Sequence, residues 1–315
     1  MGQSAAEYAI FVSKAKHFSY LDDPFALLPE PPNAYSGWVN EIHQKMSNQV
    51  GKVKFTRLYF GQEFCQRLLP RVKDVAAAME EASRRGMNFT LVTPYVTDEG
   101  LNKVKELLGF LTQQGGRYEV VFNDWGTLHL LNRENPDLIP VAGRLIDKMR
   151  RDPRFAERDF EEFFTPQALA MLRRPNVDAA TYRQLLDKYG VGRVELDPVT
   201  QGFDIDFKKL GVDASLYVPY GFITFGRVCF IGALSYPRKD KFKIHYQCHK
   251  ECQRYNQYMH KSLVPMPDAV AGTDRLGEIR LERKGTTVFF VNDRVDALLE
   301  KHNFSRIVYQ PRVPM

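Results

Sequence analysis

Two hydrophobic periods alternate along the chain from Val53 onward. Val53–Phe60 is a β-rich run ended by Gly61, and it predicts a strand. Leu68, Leu69, Val72, Val75, Ala76 and Met79 then recur at helical spacing, which predicts a helix over about residues 66–85 that Arg84-Arg85-Gly86 stops. Phe89–Val92 predicts the next strand. After Thr97-Asp98-Glu99, the stripe Leu101, Val104, Leu107, Leu108 and Leu111 predicts a second helix, closed by Gly115-Gly116. Tyr118–Phe122 reads as a third strand and runs into Asn123-Asp124-Trp125-Gly126. Further strands are expected at Leu138–Ala142, Val194–Asp197 and Leu216–Tyr220, with a helix over Tyr182–Tyr189. Strands alternating with helices imply βαβ units and a parallel sheet. The expected fold is therefore α/β, a TIM-like (β/α) barrel, complete or distorted, with its chemistry at the C-terminal ends of the strands.

The pattern changes at both ends. Residues 1–50 read as an N-terminal extension broken by the Pro-rich Leu28–Asn33, and residues 51–262 as the barrel body. Residues 263–315 read as a C-terminal region packed on the barrel. It holds a hairpin over Ile279–Val291 that turns at Lys284-Gly285, a short helix near Asp293–Lys301 and a strand at Arg306–Tyr309.

Composition narrows the class. A chain of 315 residues that is 44% hydrophobic and 26% charged is globular rather than disordered. No apolar run is long enough to span a membrane, and Met1–Glu7 lacks the basic and apolar regions of a secretory signal. A cytoplasmic location follows as the expectation, and in that reducing compartment cysteines serve metals or catalysis more often than disulfides. The net charge of +6 concentrates in two places: Lys148, Arg150, Arg151, Arg154 and Arg158, and Arg238, Lys239, Lys241 and Lys243. Each is either solvated surface or a hold for an anionic substrate or RNA phosphates.

Candidate chemistry begins with the four cysteines, Cys65, Cys229, Cys248 and Cys252. Four thiolates suit a tetrahedral zinc or a cubane iron–sulfur cluster, and four buried thiols are also ordinary core filler. Cys248 and Cys252, in Cys-His-Lys-Glu-Cys, would share one face of a helix. Cys65 is expected at a helix start, where partial positive charge favours the thiolate. Structural zinc sites usually use two close pairs, and here only one pair is close. His245 and His249 flank that pair as further ligands or as exposed polar residues. Three acids, Glu63, Asp124 and Asp197, fall at expected strand ends. Asp124 suits substrate orientation or general base work, and equally a helix cap. In Gly143–Arg154, the guanidinium groups of Arg144 and Arg151 suit a clamp for carboxylate or phosphate. No Gly-x-Ser-x-Gly, His-Glu-x-x-His or phosphate-loop pattern is present.

Together these segments resemble the collagenase-like peptidase family (U-32). The resemblance is carried by Tyr59–Cys65, Val121–Gly126, Gly143-Arg144-Leu145 with Lys148–Arg154, and Arg227-Val228-Cys229 followed by the close cysteine pair, over roughly residues 53–260. The similarity is greatest to the branch tied to anaerobic ubiquinone hydroxylation. That resemblance implies a barrel and a [4Fe–4S] cluster on Cys65, Cys229, Cys248 and Cys252. It implies oxygen-independent hydroxylation of a ubiquinone precursor, performed with a paralogous partner as a heterodimer, and substrate orientation by Asp124, Arg144 and Arg151. The same family also implies tRNA or ribosomal RNA hydroxylation, or peptidase activity, as alternatives.

Overall fold

The computed structural model describes residues 6–28, 34–50, 53–156, 160–243, 247–259 and 280–315. Its strands are β1 (Glu7–Val12), β2 (Arg57–Gly61), β3 (Asn88–Val92), β4 (Glu119–Phe122), β5 (Ile139–Ala142), β6 (Arg193–Leu196), β7 (Asp213–Val218), β8 (Tyr220–Phe225), β9 (Gln257–Met259), β10 (Leu281–Lys284), β11 (Thr287–Val291) and β12 (Arg306–Tyr309). Its α-helices are α1 (Ala34–Val50), α2 (Val72–Arg84), α3 (Asp98–Gln113), α4 (Trp125–Glu134), α5 (Pro166–Leu172), α6 (Ala180–Lys188), α7 (Phe207–Leu210) and α8 (Asp296–Lys301). Among the described residues, no helix is long and apolar enough to cross a membrane.

Eight parallel strands close into a barrel in the order β1-β12-β7-β6-β5-β4-β3-β2. Period-two alternation builds it. Leu58 and Phe60 of β2, and Phe89 and Leu91 of β3, face the helices, while Tyr59 and Val92 face the barrel interior with Phe11, Val121, Val141 and Val308. At the end of β2 only glycine fits. Gly61 has φ +139, and a Cβ there would lie 2.0 Å from the Val92 carbonyl oxygen.

The ends of the chain depart from the expected division. Residues 7–12 are a barrel strand between β12 and β2, not an extension, and residues 306–309 close the barrel rather than pack on it. Tyr8–Val12 is too short a run to stand out from the irregular residues around it. The helix expected over 66–85 also differs: one 3-10 turn spans Gln66–Leu68, and α2 starts only at Val72. Pro70 is the cause, because it pushes Leu69 out of the helical region, to ψ 133.

A second sheet, antiparallel in the order β8-β11-β10-β9, lies over the C-terminal end of the barrel. β8 follows β7 across the cis Val218–Pro219 bond. The expected hairpin is β10–β11, turning through Gly285 at φ 57. Phe64, just past β2, joins the two sheets by packing on Phe222 and Phe289 at centroid distances of 5.3 and 5.0 Å.

The opposite end of the barrel interior is polar. Arg306 donates to Glu7 (2.6 Å), to both Glu119 oxygens (2.6 and 3.0 Å) and to Tyr59 Oη (2.6 Å), and Tyr59 donates to Glu195 Oε1 at 2.9 Å. Glu195 is fully buried, and its Oε2 lacks a hydrogen-bond partner. Burial raises its pKa to about 7, against the pull of Arg306 and Arg193. The folded state thus holds this proton more tightly than the unfolded state, whose Glu titrates near 4.5. Stability from this group is full below that value and is lost as pH rises through about 7. Glu195→Gln should therefore be more stable than the parent at about pH 8, by on the order of 3 kcal/mol, with the gap closing toward about pH 4. Urea unfolding at the two pH values checks this.

Candidate metal centre

Past β2, Glu63 and Phe64 form a bend and Cys65 is extended, and the three side chains point in different directions. Glu63 turns into the barrel toward Arg144, Phe64 packs under the second sheet, and Cys65 faces a cavity beside it. Cys229 follows β8 through Gly226-Arg227-Val228, and Cys248 and Cys252 come from the loop before β9. All four thiols line this one cavity, with Arg67, Tyr95, Arg227, Gly285, Thr286 and Met315 among its walls. Its volume of about 80 Å³ exceeds the roughly 30 Å³ share of one water molecule, so the sulfurs surround a space instead of packing on one another.

The close pair does not sit on a helix. Lys250, between the two cysteines, has left-handed backbone (φ 59), and a 3-10 turn covers only Glu251–Gln253. That turn curls the loop around the sulfurs: Lys250 N donates to Cys248 Sγ and Gln253 Nε2 to Cys252 Sγ, each at 3.4 Å. Gly232 N donates to Cys229 Sγ at 3.3 Å. His249 is exposed, and His245 lies outside the described residues.

The walls are fixed by their own hydrogen bonds. Tyr95 Oη donates to the Gly226 carbonyl, Arg227 Nη2 to the Val96 carbonyl at 3.2 Å, and Thr286 Oγ1 to the Phe64 carbonyl at 3.1 Å. At Gly285 a Cβ would come within 2.5 Å of Met315 Sδ, so the hairpin turn seats against the C-terminal residue.

Electrostatics set a conflict around the thiols. Burial, and then the charges of the other three cysteines against a pull from the Arg67 backbone N–H, hold the Cys65 thiol up at about 12. Burial also raises Cys252. Beside them lie two half-buried lysines, Lys14 and Lys284. Burial and then the charges of Lys284 and Lys16 lower Lys14 to about 7, and a Cys252 thiolate opposes that shift. Lys284 is likewise lowered by burial, with Glu282 and Cys252 opposing. Lys14 Nζ donates to the Met315 carbonyl at 2.8 Å. Sequence reasoning missed both lysines, because Lys14 lay in the supposed extension and Lys284 in a hairpin turn.

The remaining candidates are placed as follows. Asp124 caps α4, accepting from Gly126 N (2.8 Å) and Thr127 N (3.4 Å), and its Oδ2 accepts from Val96 N at 3.3 Å. Arg144 is fully buried at the C-terminal end of the barrel. It grips Glu63 with two bonds (2.9 and 2.7 Å) and donates to Asp197 (2.9 Å) and the Tyr220 carbonyl (2.7 Å), and the Gln310 amide oxygen accepts a fifth bond at 3.0 Å. Every guanidinium N–H of Arg144 is thereby engaged. Arg151 donates to the second Asp197 oxygen at 2.5 Å and to the Arg144 carbonyl at 2.6 Å. The strand-end acids Glu63 and Asp197 thus converge on one arginine, Asp124 lies apart, and none of these residues lines the cysteine cavity. The basic run that follows is not an exposed helix: Arg150 and Arg154 both pair with Asp152, and Arg158 lies outside the described residues.

No protein-family model matches the chain, and no curated protein matches it in sequence. Solved structures are similar to it, two of them as follows. The U32 peptidase Mk0906 shares 10% identity over 98% of this chain and 94% of its own, with a TM-score of 0.40. Streptococcus suis SuiB, bound to the precursor peptide SuiA, shares 10% identity over 89% of this chain and 55% of its own, with a TM-score of 0.29.

Proposed function

We propose that this chain is an iron–sulfur protein whose Cys65, Cys229, Cys248 and Cys252 hold one [4Fe–4S] cluster. One observation carries the reading: four thiols from three separate stretches of chain line a single cavity. The donor set fits, because thiolates are the ligands such clusters take. Burial and the charges of the neighbouring thiols raise Cys65 and Cys252, and a cationic group between the four sulfurs would offset that.

When bound, the cluster would supply one-electron transfer. The chain's residues shape its surroundings. Gly232 N, Lys250 N and Gln253 Nε2 donate to the sulfurs, Lys14 and Lys284 offset thiolate charge, and Tyr95, Thr286 and Met315 narrow access by water. The reaction we assign is oxygen-independent hydroxylation of a quinone precursor beside a paralogous partner. The sequence resemblance supports that assignment, while the site geometry supports the cofactor. Iron and acid-labile sulfide analysis of anaerobically purified protein tests the cluster. Zinc in their place, without sulfide, would make the site a structural metal.

One observation favours RNA as the substrate instead. The segment between Cys229 and Cys248 exposes Arg238, Lys239 and Lys243 together with Phe230 and Phe242, the mixture of cations and aromatic faces that binds single strands. On that reading, RNA affinity should fall steeply with salt, and replacing those three cations by serine should flatten the dependence by about two to three in log–log slope. Filter binding across a salt series checks it.

A further inference from the structure

The loop that runs from Cys229 toward Cys248 buries small residues and exposes large ones. Ile231, Gly232 and Ala233 are buried, and the Gly232 N–H on Cys229 Sγ anchors them at the cysteine cavity. Phe230, Leu234 and Phe242 stand out in solvent instead, at 41%, 59% and 67% exposure. The two phenylalanine rings meet edge to face with centroids 6.1 Å apart, so an apolar contact forms outside the core. Single exposed hydrophobic residues are ordinary, but three on one loop mark an interaction surface.

Charge narrows the partner. Residues 227–254 hold seven Lys or Arg and two acids, so this stretch carries +5 of the chain's net charge of +6. The acid within the loop, Asp240, pairs with Lys243 at 2.5 Å, and Arg238 and Lys239 are exposed. The partner must therefore be anionic and must also take apolar side chains. Single-stranded RNA stacks its bases on ring faces, and Leu234 has none to offer. Protein interfaces are depleted in lysine, whereas Lys239, Lys241 and Lys243 supply most of the charge on this loop. Anionic lipid meets both conditions. Phe and Leu side chains enter the boundary between headgroups and acyl chains, while long lysine side chains reach the phosphates above them.

We propose that this is a membrane-docking loop, with Phe230, Leu234 and Phe242 entering an anionic lipid surface and Arg238, Lys239, Lys241 and Lys243 lying on its headgroups. Phe230 directly follows Cys229, and Arg227 lines the cysteine cavity, so docking sets that cavity at the bilayer. The attachment is peripheral and needs no spanning helix. It stands independently of what the cysteines hold.

The test is co-sedimentation of the full chain with vesicles of phosphatidylcholine, alone or mixed with an equal part of phosphatidylglycerol. Anionic vesicles should bind the chain at least about tenfold more strongly than neutral ones, and added salt should weaken that binding. Replacing Arg238, Lys239 and Lys243 by serine should cost on the order of a hundredfold. The double variant Leu234→Ser, Phe242→Ser should lose at least about tenfold with no fall in melting temperature, because both side chains are exposed. Phe242→Trp should shift its emission to the blue on anionic vesicles, read as a difference from the parent's two tryptophans. The proposal is overturned if anionic vesicles do not bind, if neutral ones bind as well, or if the double variant keeps parental binding. An unshifted tryptophan would also overturn it, since the loop would then adsorb by charge without entering the lipid. A single-stranded RNA that binds where vesicles do not would make the loop an RNA site.

Discussion

Protein loaded without oxygen should carry about four irons and as many acid-labile sulfides per chain, and any one cysteine-to-serine change at Cys65, Cys229, Cys248 or Cys252 should remove most of both. The argument is one of softness and burial. A serine hydroxyl is a hard donor and stays protonated near neutral pH, so it replaces a thiolate poorly. The cavity walls come from the loop after β2, the loop after β8, the β10–β11 turn and Met315, so the cluster would tie together segments that otherwise meet through few bonds. Binding to the folded state alone adds to stability. Iron chelation under reducing conditions should therefore lower the melting temperature, and the four serine variants should melt near the chelated parent. Serine variants that retain full iron and sulfide would show that the metal lies elsewhere.

Arg144→Leu should be the most destabilising single change in the barrel, costing about 3–5 kcal/mol and lowering the melting temperature by roughly 10 °C. Both of its carboxylate partners are fully buried. Without Arg144, Glu63 loses both of its hydrogen bonds, and Asp197 keeps only Arg151. The guanidinium also lies over the Tyr217 ring at 4.2 Å, a contact that leucine does not reproduce. Because burial already raises Glu63 against the pull of Arg144, loss of the arginine should leave that carboxyl protonated at neutral pH. Arg144→Lys should recover only part of the loss, since an ammonium cannot form the paired bonds to Glu63. Thermal and urea unfolding measure all of this. A cost below about 1 kcal/mol would show that the ion pairs are dispensable and would return Arg144 to consideration as a substrate ligand.

The barrel was legible in the sequence because most of its strands separate two apolar environments. β2 and β3 send alternate side chains to the helix layer and the interior, and the intervening helices carry clean stripes. Of the two seam strands, β1 was missed, and β12 was read as a strand at Arg306–Tyr309 but not as part of the barrel. β1 carries lysines and polar residues just beyond it, and β12 pairs with it across almost the whole chain, a relation no local pattern encodes. The cysteines were legible as a set by count and order. Their shared cavity was not, because it depends on a barrel loop, a second sheet and the chain end meeting in space. The helix expected for Cys248–Cys252 yields to the left-handed Lys250, and spacing gives no sign of that. Arg144 stood out as a guanidinium at a strand end, but its engagement follows from Glu63 and Asp197, which flank it only after the barrel closes.

The pairing of β1 with β12 also sets a timetable for synthesis. β2 through β7 can join neighbours as they leave the ribosome, yet β1 keeps an unsatisfied edge until residues 306–309 emerge. Lys14 reaches the Met315 carbonyl across 301 positions of chain, so one wall of the pocket arrives long after Lys14 does. Until then the nascent chain exposes two bare strand edges and four reactive thiols at once, an aggregation and oxidation hazard in the same interval. Closure of the seam and sheltering of the thiols should therefore come together, late in synthesis.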